Sequence, residues 1–180
     1  MKMRKVEILY LRMMELALKL IGKDAMECKL KRYRGYGAKI GNNVRTFSPI
    51  SSAESYLINI GDNVTISSGV RFITHDNSAI KIYPDATDFV GEIHIGNNVF
   101  IGANSIILPG VTIADDCIVG AGGVVCKSCH ERGAVLAGNP AKVVSDIDKM
   151  KLKYVNNKFD FRDGKNEKQI FLNKEKWIKK

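Results

Sequence analysis

His75 is the residue of this chain best suited to chemistry. It stands in the phrase FITHDNS, where an apolar pattern gives way to turn formers and charge. An imidazole, with an ordinary pKa of about 6.5, takes up and releases protons near neutral pH, as a general acid or base must. Its neighbour Asp76 has two roles open to it. A carboxylate can orient an imidazole and stabilise its charged form, or it can cap the turn; adjacent residues on extended backbone point to opposite sides, which leaves both readings standing. His94 and His130 are poorer candidates, since one precedes a repeat unit and the other falls in a closing turn. The four cysteines form no framework. Cys126 and Cys129 make a lone C-x-x-C with no second pair, short of what zinc requires, so they read with Cys28 and Cys117 as small thiols in a reducing compartment.

The element that must position His75 is a repeat. From Ile95 to Cys129 the chain divides into IGNNVF, IGANSI, ILPGVT, IADDCI, VGAGGV and VCKSC, led by Ile95, Ile101, Ile107, Ile113, Val119 and Val125. A fixed six-residue period suits neither an amphipathic helix nor a long alternating strand. It fits a solenoid in which each hexad is a short strand plus a tight corner and three hexads close one triangular coil. Fifth positions are small or β-branched (Val99, Ser105, Val111, Cys117, Gly123, Cys129), as a narrow interior demands. Gly96, Gly102, Gly120, Asn97 and Asn98 supply the corners. The pattern begins at Ile40, slips around Ser51 to Ser55, returns at Ile60, Ile66 and Phe72, and is lost between Thr74 and Gly91. That last stretch reads as a loop thrown out of the coil, where binding residues tend to lie.

Around the repeat, the formal net charge of +9 is concentrated in Lys2 to Lys39 and Lys142 to Lys180. Such a surplus suits a phosphate-bearing ligand or an anionic membrane face; no nucleic-acid-binding signature accompanies it. Val6 to Ile21 reads as an amphipathic helix with Leu9, Met13, Leu16 and Leu20 on one stripe. Its first role is a cap over the end of the solenoid; a foot on a membrane surface, helped by Arg4, Lys5, Lys29, Lys31, Arg32 and Arg34, is the alternative. Charges interrupt it, no cleavage site follows, and it is too short to span a bilayer, so a cytoplasmic location is expected. The chain thus divides into residues 1–38 (helix and basic linker), 39–144 (solenoid with loop 74–91) and 145–180 (a C-terminal extension of short helices over Ser145 to Tyr154 and Glu167 to Lys180).

The phrases VFIGANSIILPGVTI, VGAGGVV and AGNPAKVV resemble the hexapeptide-repeat acyltransferases, and YLINIGDNVTISSGVRFITHD looks most like those that O-acetylate capsule, lipopolysaccharide and other surface glycans. The resemblance implies an all-β solenoid, the left-handed parallel β-helix, whose hand comes from the family because crossovers between parallel strands are normally right-handed. It also implies a homotrimer with sites between subunits, and direct transfer of acetyl from acetyl-CoA to a sugar hydroxyl with His75 as general base. The acceptor side would include Glu54, at the register slip, and Ser48, which stands near the position where galactoside and maltose acetyltransferases carry an asparagine; that departure speaks against a free galactoside or maltose. For the co-substrate, Phe100 would pack beside the pantetheine arm, Ala103 and Ala121 would offer backbone contacts, and Lys127 and Lys142 would meet the CoA phosphates. No metal is implied.

Two rivals stand beside this reading. An N-acetyltransferase acting on a nucleotide-linked amino sugar would give the basic termini a role. From another class comes a non-catalytic β-helix scaffold, or a zinc enzyme needing His75, His94 and His130 to converge.

Overall fold

A computed structural model describes residues 3–50, 52–160 and 176–178. Most of it is a coil of very short parallel strands stacked into three faces. The first face stacks Lys39–Ile40, Ile58–Ile60, Ile93–Ile95 and Thr112–Ile113; the third stacks Arg71–Phe72, Ile106–Ile107 and Val124–Val125. On the second face, Arg45–Thr46, Thr65–Ile66, Phe100–Ile101, Ile118–Val119 and Ala134–Gly138 are parallel, and Ala141–Asp146 then folds back antiparallel. The chain visits the faces in turn, and pairing keeps the repeat in phase. Ile60 aligns with Ile95 and Ile95 with Ile113; Ile66, Ile101 and Val119 align on the second face, and Phe72, Ile107 and Val125 on the third.

The hexad leaders Ile95 to Val125 point inward and are at most 4% exposed. Fifth-position side chains share the interior with them, and the single hydroxyl among these, on Ser105, is satisfied by the carbonyls of Gly102 (2.8 Å) and Gly120 (3.0 Å). Burying each isoleucine or valine is worth about 1.5–3 kcal/mol relative to leaving it exposed, so the repeat is itself the hydrophobic core. Corners turn through a left-handed residue at the fourth hexad position. Asn43, Asn63, Asn98, Asn104 and Asp116 have φ between 52° and 60°, and glycine serves at Gly69, Gly110 and Gly122. Asn97, expected to share that conformational role, instead links coils: its Oδ1 accepts from the Asp62 amide, and its own amide donates to Asp115.

Two helices precede the coil, α1 (Lys5–Leu20) and α2 (Met26–Gly35). The second was read as a basic linker, yet it is the element that caps the solenoid. Its Leu30 and Tyr33 join the core, while its cations satisfy edge carbonyls of the first coil: Lys29 Nζ donates to Thr46 O at 2.9 Å, and Arg34 donates to Ile40 O and Gly41 O at 3.0 and 2.7 Å. An open edge of parallel strands needs such partners. The apolar stripe of α1, expected to form the cap, faces solvent instead. Beyond the coil, α3 (Ile147–Lys153) matches the first C-terminal helix expected, capped by Asp146 accepting from the Lys149 amide at 2.8 Å. The second expected helix, over Glu167 to Lys180, falls largely outside the described residues.

Between Thr74 and Gly91 the chain leaves the third face and returns. His75 pairs antiparallel with Val90 and Asp76 with Phe89, and a 3-10 turn over Asn77–Lys81 fills the excursion. Gly91 re-enters where a Cβ would lie 2.3 Å from the Gly110 amide nitrogen, so only glycine lets the loop rejoin the stack.

Candidate active site at the mouth of the excursion

His75 sits at the corner between the third and first faces, half-exposed. Its Nδ1 lies 2.7 Å from Glu54 Oε2. A carboxylate can only accept, so Nδ1 carries the proton and the lone pair of Nε2 points away, with no protein partner among the described residues. Glu54 is itself held from below. The buried Thr74 hydroxyl lies 2.8 Å from Glu54 Oε2 and 2.8 Å from Ser52 Oγ; it donates to the carboxylate and accepts from the serine. These contacts act on the protonation equilibria in opposite senses. The hydrogen bond from Thr74, then that from His75, holds the Glu54 carboxyl below its usual range; the Glu54 carboxylate raises the pKa of His75. The arrangement is an oriented imidazole backed by an anion, able to take a proton at Nε2 and to hold the resulting charge.

Asp76 takes the other of its two roles. Its Oδ1 accepts from the Ser78 amide at 2.9 Å, capping the turn, and that bond lowers its own pKa. Ser48 does not reach the cleft. It is 1% exposed; its Oγ donates to Ser67 O at 2.6 Å and accepts from the Val70 amide at 2.9 Å, so the hydroxyl is consumed in joining coils. The cleft beside His75 is lined by Pro49, Ser52, Ala53, Gly69 and Arg71. Arg71 was not anticipated. It is exposed, has no ion-pair partner among the described residues, and lines the cleft together with His75, from the third-face strand just before the corner. A cation four residues before the histidine was the signal in the sequence.

The residues expected to meet the co-substrate fall on two edges. Ala103 and Ala121 stack one coil apart at the corner between the second and third faces; Gly122 N donates to Ala103 O at 2.8 Å, and the amides of Ala103 and Ala121 have no acceptor among the described residues. A Cβ on Gly102 would lie 2.5 Å from Ala121 N, so the corner is as close as backbones approach. Phe100 is exposed on the adjoining strand and Lys142 is the second residue of the returning strand above, next to Ala137. Lys127 lies on the other edge, at the His75 corner two coils further on. One triangle side, about five extended residues or roughly 16 Å, separates the two edges. The two lysines therefore do not flank a single groove of one chain.

Residues 92–127 match the family model for bacterial transferase hexapeptide repeats, described as six repeats. The chain is 44% identical over 167 residues to protein CapG of Staphylococcus aureus, covering 89% of this chain and 94% of that protein. It is 33% identical over 141 residues to galactoside O-acetyltransferase of Escherichia coli, covering 77% of this chain and 66% of that one. Among solved structures, a hexapeptide-repeat acetyltransferase of Vibrio cholerae complexed with acetyl coenzyme A aligns with a TM-score of 0.51 at 26% identity, covering 79% of this chain and 90% of that one. These likenesses define an acetyl-CoA-dependent acyl-transferring enzyme rather than a scaffold. The chain belongs to the hexapeptide-repeat acyltransferase family.

Proposed function

We propose that this protein O-acetylates a sugar hydroxyl of a bacterial surface glycan, with His75 as general base and Glu54 as the residue that positions it. The observation that carries the reading is the 2.7 Å contact between His75 Nδ1 and Glu54, which leaves Nε2 free beside a cleft. The acceptor hydroxyl attacks the thioester carbonyl of acetyl-CoA as its proton passes to Nε2; the tetrahedral intermediate collapses, the C–S bond breaks, and the thiolate takes that proton from the imidazolium. The acetyl group ends on the acceptor oxygen and CoA leaves as the free thiol. A carboxylate that stabilises the imidazolium favours the charged intermediate state, the role it has in a triad.

The division of the site between two edges supports a ring of three chains. With the third face toward the axis of a cyclic trimer, the His75 edge of each chain meets the Ala103 and Ala121 edge of its neighbour, and both halves then line one groove. The unpaired amides of Ala103 and Ala121 suit the amide oxygens of the pantetheine arm, Phe100 packs beside it, and Lys127 and Lys142 come from adjoining chains toward the phosphates. The coil takes the family's left hand, and the enzyme works in the cytoplasm, where acetyl-CoA is made; among the described residues no helix is long and apolar enough to cross a membrane. Within the cleft, Ser52 and Arg71 rather than Ser48 meet the acceptor.

Arg71 favours a second reading. A free guanidinium beside the base suits an anionic acceptor, such as an amino sugar carried on a nucleotide, which would be acetylated on nitrogen. Thiol release from acetyl-CoA, followed with neutral glycan fragments and with nucleotide-linked amino sugars, separates the two. An ester product, labile to hydroxylamine, supports O-acetylation; a stable amide formed only with the nucleotide sugar replaces it with the second reading, and no thiol release with either contradicts both.

A further inference from the structure

The first helix, α1, is packed with its apolar side outward. Val6, Leu9, Tyr10, Met13, Leu16, Leu20 and Ile21 are between 58% and 79% exposed, and on a 3.6-residue turn they fall in one arc roughly 140° wide. Its one fully buried side chain is a carboxylate: Glu15 faces α2, with Arg32 at 2.8 Å and Lys19 at 2.6 Å. A helix that buries its acid and shows its leucines is built to be covered by something other than its own chain.

Charge selects what covers it. Lys5, Arg12 and Lys19 recur every seven residues along one border of the arc, so they form a row. The acidic side chains of α1 are paired, Glu7 with Arg4 at 3.0 Å and Glu15 with Arg32 at 2.8 Å and with Lys19 of the row at 2.6 Å, which leaves Lys5 and Arg12 without a carboxylate partner among the described residues. The arc thus carries no carboxylate, one border presents the free charge of Lys5 and Arg12, and the other holds Glu7 neutralised by Arg4. A second copy of this chain offers only that neutralised Glu7 to meet the row, whereas an anionic lipid surface answers both features at once: acyl chains receive the arc and headgroups receive the cations. Lysine and arginine stems lie along the apolar border while their heads remain at headgroup level. The capping role that would otherwise occupy this helix is already discharged by α2 through Leu30, Tyr33 and the bonds from Lys29 and Arg34.

We infer that α1 lies in the plane of an anionic membrane surface and holds the enzyme there, its apolar arc in the lipid and Lys5 and Arg12 at the headgroups. This inference stands on the packing of α1 and does not depend on which acceptor is acetylated. The test is flotation of the full chain with vesicles of phosphatidylcholine alone and of phosphatidylcholine mixed in equal parts with phosphatidylglycerol. Binding is expected with the anionic vesicles only, weakened by salt, and lost in the double variant Leu9→Glu/Leu16→Glu with the circular dichroism spectrum unchanged. Should that variant misfold, Lys5→Gln/Arg12→Gln serves in its place, each neutralised cation weakening binding by roughly fivefold. No flotation of the native chain with anionic vesicles overturns the inference; if the glutamate variant then also loses its oligomeric state, the arc belongs to a second copy of the chain.

Discussion

Glu54 controls the proton affinity of His75 by direct contact, and this fixes a sign. A general base acts in its neutral form, and a carboxylate at 2.7 Å stabilises the protonated imidazole, so the base form of His75 is reached at a higher pH than in an unpaired histidine. The value of kcat/KM therefore falls as pH drops through that raised pKa. In Glu54→Gln the charge is gone; the acid limb of the pH profile should move to lower pH, and kcat should fall about tenfold or more as the ring loses its orientation. Asp76→Asn should leave the limb nearly in place, because its carboxylate is engaged with the Ser78 amide. A profile in which Asp76→Asn moves the limb further than Glu54→Gln would reverse the two assignments. His75 was legible in the sequence from its place at the break in the repeat, whereas its pairing with Glu54 was not. The two are 21 residues apart, and residues meet across adjacent coils at separations of 18 in the regular part and 20 where the register slips. Counting one coil of 20 residues back from His75 ends at Ser55, one residue past Glu54, so the spacing points to the neighbourhood and not to the partner itself.

At the scale of elements, the hexads declared the coil because one side chain in six must enter a narrow interior, and every leader from Ile95 to Val125 does so. The corner between the second and third faces has no room for another carbon. Gly102→Ala should lower stability by about 1–3 kcal/mol, since the added methyl meets the backbone of Ala121 and Val119 rather than a movable side chain. Thermal unfolding reads this as a lower Tm; an unchanged Tm would mean that the coils are not in contact at this corner. The helices were less legible. α2 hides only a narrow strip, and its Lys29 and Arg34 look like solvated charge until the carbonyls of the first coil are seen beside them. The stripe of α1 was plain in the sequence, but periodicity tells which side of a helix is apolar and says nothing of where that side faces.

For the whole molecule, the proposed assembly of the site from edges of neighbouring chains makes a quantitative demand. His75→Ala disables one edge and Ala121→Trp blocks the other, so each variant alone should be inactive. Mixed in equal amounts and refolded together, about one quarter of interfaces pair an intact His75 edge with an intact groove, whatever the ring size, and about one quarter of native activity should return. Recovery of none would place both halves within one chain.

The central claim, acyl transfer from acetyl-CoA driven by His75, is met most directly by comparing native protein with His75→Ala in acceptor-dependent thiol release while CoA binding is measured separately by calorimetry. The expected result is a loss in kcat of about a hundredfold or more, the usual scale for removing a general base, with CoA affinity retained. Equal turnover by the two proteins would contradict the account and remove His75 from the reaction.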